Sequence, residues 1–238
     1  MIKGRIHSFE SMGLLDGPGI RNVIFLQGCP LRCLFCHNPD TWNFSKGQSI
    51  EPHDLLRKIL KYKPYFGNNG GVTFSGGEPL MQPEFLLQCL KLCKENNIHT
   101  AIDTSGCGAA NYSEILKYSD LVLLDIKHVD SKNFELLTGV NKSKLDNFIN
   151  ELNKSSSRVW ARHVIIPSMT DSEEHIKKLA KIINTIKNID KVELLPYHTM
   201  GNFKYEKLSL KYPLENIPAM DKDKCKSLEN KLKTLVNL

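Results

Sequence analysis

Cys29-Pro30-Leu31-Arg32-Cys33-Leu34-Phe35-Cys36 puts three cysteines in one short segment, and no further cysteine follows until Cys89. A four-iron four-sulfur cluster normally takes four thiolates, one per iron. Three thiolates leave one iron open, and an open iron can bind a small molecule and pass it an electron. A zinc site is the main rival reading. Structural zinc sites, however, favour C-x2-C pairs and four ligands, and His37 would crowd Cys36 as a fourth. Burial as core cysteines is a third reading; Gly28 before Cys29 and Pro30 after it mark a loop instead.

Further residues are spaced along the chain as chemistry would need them. Gly76-Gly77-Glu78-Pro79 follows an apolar run. Two glycines let a backbone approach a ligand with no Cβ in the way. Strand-edge N–H and C=O groups there could pair with an amino acid's ammonium and carboxylate, although alone the segment is a tight turn. Asp125 ends the run Leu121-Val122-Leu123-Leu124, and a carboxylate there needs a partner. Arg162 interrupts another apolar run and needs an anion. Lys127 just past a strand could be a surface lysine, Asp103 before Thr104-Ser105-Gly106 could form an Asx-turn, and His198 could be a loop histidine. Cys89 and Cys93 lie four apart on an apolar helical face and read as core. Cys107 and Cys225 have no assignment.

These residues need a scaffold, and 238 residues suffice for one sizeable core. A hydrophobic fraction of 41% and a charged fraction of 24% are ordinary for a globular chain. A net charge of +6, scattered through helices and loops, is a solvated surface and gives no ground for nucleic-acid binding. Seven cysteines at this spacing do not form a disulfide framework. There is no apolar leader and no run of membrane-spanning length, so a cytoplasmic, reducing setting without membrane attachment is expected.

Short apolar runs alternate with helical patterns. Strands are expected at 22–26, 72–74, 99–103, 121–126, 159–166 and 191–195, with helices at 51–61, 83–96, 112–117, 143–153, 171–186 and 221–236. Pro83 suits a first helical position, and Asp171 with Glu174 reads as a capping box. The alternation predicts an α/β fold, a partial TIM barrel of the (β/α)6 type, in one domain spanning 1–238; an open doubly wound sheet is the rival. The chemistry-bearing residues fall at the C-terminal ends of the strands, where parallel α/β folds place their sites.

CxxxCxxC followed by GGEP resembles the radical S-adenosylmethionine superfamily. The segments Gly4-Arg5-Ile6-His7-Ser8-Phe9-Glu10, Asp16-Gly17-Pro18-Gly19-Ile20-Arg21, Gln27-Gly28-Cys29, Cys36-His37-Asn38-Pro39-Asp40-Thr41-Trp42 and Glu193-Leu194-Leu195-Pro196-Tyr197-His198 narrow the resemblance to the glycyl-radical-enzyme activases, over essentially the whole chain. That resemblance implies that Cys29, Cys33 and Cys36 ligate a 4Fe-4S cluster whose open iron chelates S-adenosylmethionine. Gly76, Gly77 and Glu78 would line its methionine end, and Asp125, Ile126 and Lys127 the region of ribose and methionine. Arg162 and His198 would make carboxylate- and adenine-side contacts, with Phe35 and His37 flanking the adenine. Asp103, Thr104, Asp125 and the carbonyl near Leu123 would match a monovalent cation site. Asp16, in an N-terminal segment over 1–20, would face the substrate's glycine loop.

The implied activity is reductive cleavage of S-adenosylmethionine to a 5′-deoxyadenosyl radical that abstracts a glycine Cα hydrogen. No cysteine lies between Cys36 and Cys89, so the cysteine-rich insert of many such activases is missing. This compact form points to pyruvate formate-lyase as the protein partner, with flavodoxin or ferredoxin as electron donor, a monomeric state and a place in anaerobic glucose metabolism. Activation of anaerobic ribonucleotide reductase is the alternative. A radical enzyme acting on a small molecule, or a non-catalytic zinc or electron-carrier protein, belongs to other classes.

Overall fold

A computed structural model of the chain describes residues 2–109 and 112–237. Each of the six expected strands forms: β2 (Arg21–Leu26), β4 (Gly71–Gly76), β5 (His99–Thr104), β6 (Leu121–Asp125), β7 (Arg158–Ile165) and β8 (Ile189–Pro196). They pair in parallel and in chain order. A doubly wound sheet reverses direction at a switch point. This sheet does not, so it is the open, partial-barrel arrangement. Two strands absent from the expectation extend it: β1 (Gly4–Gly13) runs antiparallel to β2, and β3 (Gln48–Ile50) runs antiparallel to β1.

The helices α1 (Pro52–Leu60), α2 (Pro83–Glu95), α3 (Tyr112–Lys117), α5 (Ser143–Leu152), α6 (Glu173–Ile183) and α8 (Lys222–Leu235) match the expected ones. Two short helices were not expected, α4 (Ser131–Thr138) and α7 (Asn202–Lys207). Pro83 does begin α2. The start of α6 falls one residue later than the expected box: Ser172 is the N-cap and accepts from His175 N–H at 3.1 Å. Asp171 instead accepts from Ser168 N–H at 2.8 Å and pairs with Lys224.

Strand alternation sorts the residues between two faces. On β6, Val122 and Leu124 join the large core under the helices, whereas Leu121 and Leu123 pack with Ala101 and Trp160 in a small inner cluster. Asp103 follows Ala101 by two, Asp125 follows Leu123 by two, and Arg162 follows Trp160 by two. All three therefore point inward, one layer above the apolar cluster. Cys89, Cys93, Cys107 and Cys225 are buried in the main core. Among the described residues no helix is long and apolar enough to cross a membrane.

Candidate active site

The cysteine loop leaves β2 at Gly28, whose φ of +97° only glycine adopts without strain, and the Phe44 ring occupies the place a Cβ would take. Gly28 N–H donates to Thr41 O at 2.7 Å, Arg32 N–H to Thr138 O at 2.7 Å and Leu34 N–H to Leu137 O at 3.0 Å. The last two bonds tie the loop to the C-terminal end of α4. Gly77 N–H donates to Leu26 O at 2.8 Å and Glu78 N–H to Gly28 O at 2.9 Å. A Cβ on Gly77 would lie 2.3 Å from Gly28 O. The glycine pair thus lets the loop after β4 dock directly on the cysteine loop.

Between these loops and the strand ends lies a cavity of about 370 Å³. Cys29, Cys33, Cys36, Phe35, His37, Gly76, Gly77, Glu78, Asp103, Thr104, Asp125, Lys127 and His198 all line it. Ser75, Ser105, Asn38, Leu195 and Pro196 line it too and were not expected; Ser75 was legible, being two residues beyond Thr73 on the inward side of β4. Four expected residues stand outside the lining. Arg162 lies behind Asp103 and Asp125. Leu123 is fully buried in the inner cluster. Ile126 is buried, and its N–H donates to Arg162 O at 2.9 Å. Asp16 is outside the lining, its carbonyl accepting from the Thr73 hydroxyl at 2.6 Å while its carboxyl feels the charges of Asp103 and Arg162.

Burial pushes the Cys33 thiol up to about 12 and raises Cys29 and Cys36 as well. Cysteines so desolvated become thiolates only when a metal compensates the charge. Among the described residues no three His, Cys, Asp or Glu side chains converge where a single ion could sit. Cys29, Cys33 and Cys36 line one cavity from a single loop, where their thiolates would hold a metal group together. Asn38 N–H already donates to Cys36 Sγ at 3.3 Å, as an N–H beside an iron-bound sulfur would.

Below the loops lies a charged layer. Arg162 Nε donates to Asp125 Oδ1 at 3.2 Å, and its Nη2 reaches Asp103. Lys127 Nζ donates to Asp125 Oδ2 at 3.0 Å, and the Ser75 hydroxyl to Asp103 Oδ2 at 2.8 Å. Burial works against the Asp125 charge, but Arg162 and Lys127 outweigh it and hold the carboxyl below its usual range. Asp125 in turn holds Lys127 protonated in spite of burial. A cation shared by Asp103 and Asp125 would have to displace this guanidinium. Thr104 turns away from them and donates its hydroxyl to Glu78.

Both Glu78 oxygens are engaged inside the protein, accepting from Ser105 N–H at 3.0 Å, the Ser105 hydroxyl at 2.6 Å, Leu80 N–H at 3.2 Å and Thr104. At the other wall His37 and His198 stack at 4.1 Å, and His37 Nε2–H donates to His198 O at 2.9 Å. His198 Nδ1 is buried without a partner. His198 itself lines the cavity, so its ring is placed beside any ligand held there.

A half-open parallel barrel with a three-cysteine loop above a charged strand-end layer defines a radical S-adenosylmethionine enzyme, and residues 23–180 match the family model of the radical SAM superfamily. That class carries a 4Fe-4S cluster and S-adenosylmethionine. The chain is 60% identical over 237 residues to a pyruvate formate-lyase-activating enzyme of Clostridium pasteurianum, covering 99% of this chain and 100% of that one. It is 46% identical over 235 residues to the enzyme so named from Staphylococcus epidermidis, covering 95% and 94%. A crystallised domain of pyruvate-formate lyase-activating enzyme from Bacteroides vulgatus superposes with a TM-score of 0.57 at 25% identity, over 70% of this chain and 94% of that domain. The chain belongs to the family of pyruvate formate-lyase-activating enzymes.

Proposed function

We propose that this protein activates pyruvate formate-lyase by placing a radical on one of its glycines. The observation that carries the reading is the joining of three desolvated thiols and the charged strand-end residues Asp103, Asp125 and Lys127 in one cavity, in a chain 60% identical end to end to a relative so named. When bound, the cluster and S-adenosylmethionine supply reductive cleavage, and the adenosyl fragment takes a hydrogen atom from a glycine Cα. The protein contributes position and exclusion of water.

Cys29, Cys33 and Cys36 hold the cluster. The backbone of Gly76 and Gly77 offers strand-edge groups to the methionine end, and Glu78 braces that loop through its four bonds. Asp125 and Lys127 present opposite charges to the ammonium and carboxylate, with Arg162 fixing Asp125 from behind and the peptide of Ile126 fixing the strand end. Phe35, His37 and His198 enclose the adenine. The carboxyl of Asp16, pushed up to about 6 by burial and by Asp103 and so ionised at neutral pH, offers an acceptor to the N–H groups of the incoming glycine loop. Asp103, Thr104 and the Leu123 carbonyl would admit a cation only after Arg162 swings aside.

We place the enzyme in the cytoplasm of an anaerobically growing cell, in glucose fermentation, as a monomer reduced by flavodoxin or ferredoxin. No base is needed for hydrogen-atom abstraction, and Asp103 and Asp125 are engaged by Arg162. The test mixes the anaerobic, reconstituted and reduced protein with pyruvate formate-lyase and S-adenosylmethionine. The expected result is the glycyl radical doublet by electron paramagnetic resonance. A doublet only with anaerobic ribonucleotide reductase would move the assignment to that partner.

A further inference from the structure

The cysteine loop is a wall with two sides. Its inner side faces the cavity. On its outer side lies a separate groove lined by Arg32, Asp40, Trp42, Phe44, Lys46 and Leu210, which shares no lining residue with the cavity. We propose that this groove is where an acidic one-electron carrier protein docks and hands its electron to the cluster. The proposal rests on the activase reading, since it presumes a cluster on the cysteine loop.

Three observations converge. The cavity has to hold S-adenosylmethionine and the substrate glycine, so a reductant must approach from elsewhere. Arg32 lies between Cys29 and Cys33, and its Nη1 donates to Cys29 O at 2.9 Å and Leu31 O at 2.7 Å. The same guanidinium stacks 4.8 Å over Trp42. The groove thus reaches, through Trp42 and Arg32, the backbone of the loop that carries Cys29 and Cys33.

The surface is also of the right chemistry. Phe44 and Leu210 are 44% and 43% exposed and lie together in the groove lining, giving it an apolar centre. Arg32 and Lys46 flank them, exposed and without carboxylate partners among the described residues. Arg5 adds a third positive charge, its guanidinium lying 3.3 Å from Gly47 O. The one acidic residue in the lining, Asp40, is already paired with Lys204 at 3.1 Å and His7 at 3.1 Å. An apolar centre ringed by basic groups complements an acidic partner and steers its approach. Each delivery moves one electron from the carrier to the cluster and needs no proton.

The test compares two reductants on the reconstituted enzyme. Lys46→Glu/Leu210→Glu changes two groove residues that make no contact with the cysteine loop. With reduced flavodoxin as the probe, the KM for flavodoxin in S-adenosylmethionine cleavage should rise at least about ten-fold. Cleavage driven by dithionite, which needs no docking, should match the parent. An unchanged flavodoxin KM beside unchanged dithionite cleavage would overturn the docking site. No cleavage by the parent with dithionite would overturn the activase reading, and the docking site with it. Should the variant fail to fold, carbodiimide cross-linking of the parent to flavodoxin serves instead: Lys46 should be joined to a flavodoxin carboxylate, and cross-links confined to other faces would refute the proposal.

Discussion

Removing the Arg162 guanidinium should destabilise the protein through one carboxylate more than the other. Asp125 keeps Lys127 at 3.0 Å when Arg162 is lost, whereas Asp103 keeps only the Ser75 hydroxyl at 2.8 Å. Both carboxylates lie in the inward layer, screened from bulk water. Breaking a buried pair by removing one partner costs about 3–5 kcal/mol, because the other charge stays buried and unpaired. Against a total stability of roughly 5–15 kcal/mol this is a large loss. Arg162→Met should therefore lower Tm by on the order of 10 °C for a chain of this length. The second substitution decides the cause. In Arg162→Met/Asp103→Asn the unpaired charge is gone, the serine bond can persist, and Asp125 still has its lysine. The double variant should recover at least half of the loss, read by anaerobic urea unfolding and by calorimetry. Arg162→Lys should fall between, because one ammonium cannot bridge two carboxylates as a guanidinium does. A double variant as unstable as Arg162→Met alone would refute the reasoning and locate the cost in packing around the guanidinium stem.

Replacing Cys29, Cys33 or Cys36 by Ala should abolish 5′-deoxyadenosine formation, whereas Cys107→Ala or Cys225→Ala should leave it intact; chromatography of the product decides. Burial holds His163 down to about 4 and His175 down to about 3, against an ordinary value of 6.5. Their neutral forms thus favour the folded state, so their contribution is complete above pH 6.5 and is lost as pH falls toward 4 and 3. Melting curves between pH 7.5 and 4.5 should show this loss, and His163→Phe/His175→Leu should flatten it; an equally steep profile in that variant would exclude the histidines. Asp16 has the opposite sign. With its carboxyl raised from 3.8 to about 6, its contribution is complete below pH 3.8 and lost as pH rises through 6. Asp16→Asn should accordingly raise Tm at pH 7.5 and change it little at pH 4; a lower Tm at pH 7.5 would contradict the assignment.

Local signals made the parallel strands and most helices legible. Strands such as Leu121–Asp125 are buried on both faces and read as continuous apolar runs. The strand Gly4–Gly13 was not legible as a strand, since His7, Ser8, Glu10 and Ser11 leave it half-exposed, and its place comes from backbone pairing with β2 and β3. The helix Ser131–Thr138 is short, and its role in anchoring the cysteine loop is a tertiary fact. The need of Arg162 for an anion could be read from its apolar neighbours. That two aspartates supply it depends on the register of three adjacent strands, with Asp125 level with Arg162 and Asp103 level with Leu123. The cluster of His128, His163 and His175, with His163 stacked on His175 and His128 edge-on to it, is not legible for the same reason, each being placed by a different element.

The register also constrains what the inward layer can accept. Asp103, Asp125, Arg162 and Lys127 carry two negative and two positive charges, so these four balance one another before any ligand arrives, with the Asp16 carboxyl beside them. Adding a lone anion or cation would leave one buried charge uncompensated, at a cost of several kcal/mol. A zwitterion does not: its ammonium and carboxylate can each share a group of the layer while the sum stays zero. Glu78 cannot upset this balance from above, because its oxygens are already taken by Ser105, Thr104 and Leu80. The methionine end of S-adenosylmethionine is such a zwitterion, so charge balance favours it over a lone ion beside this layer.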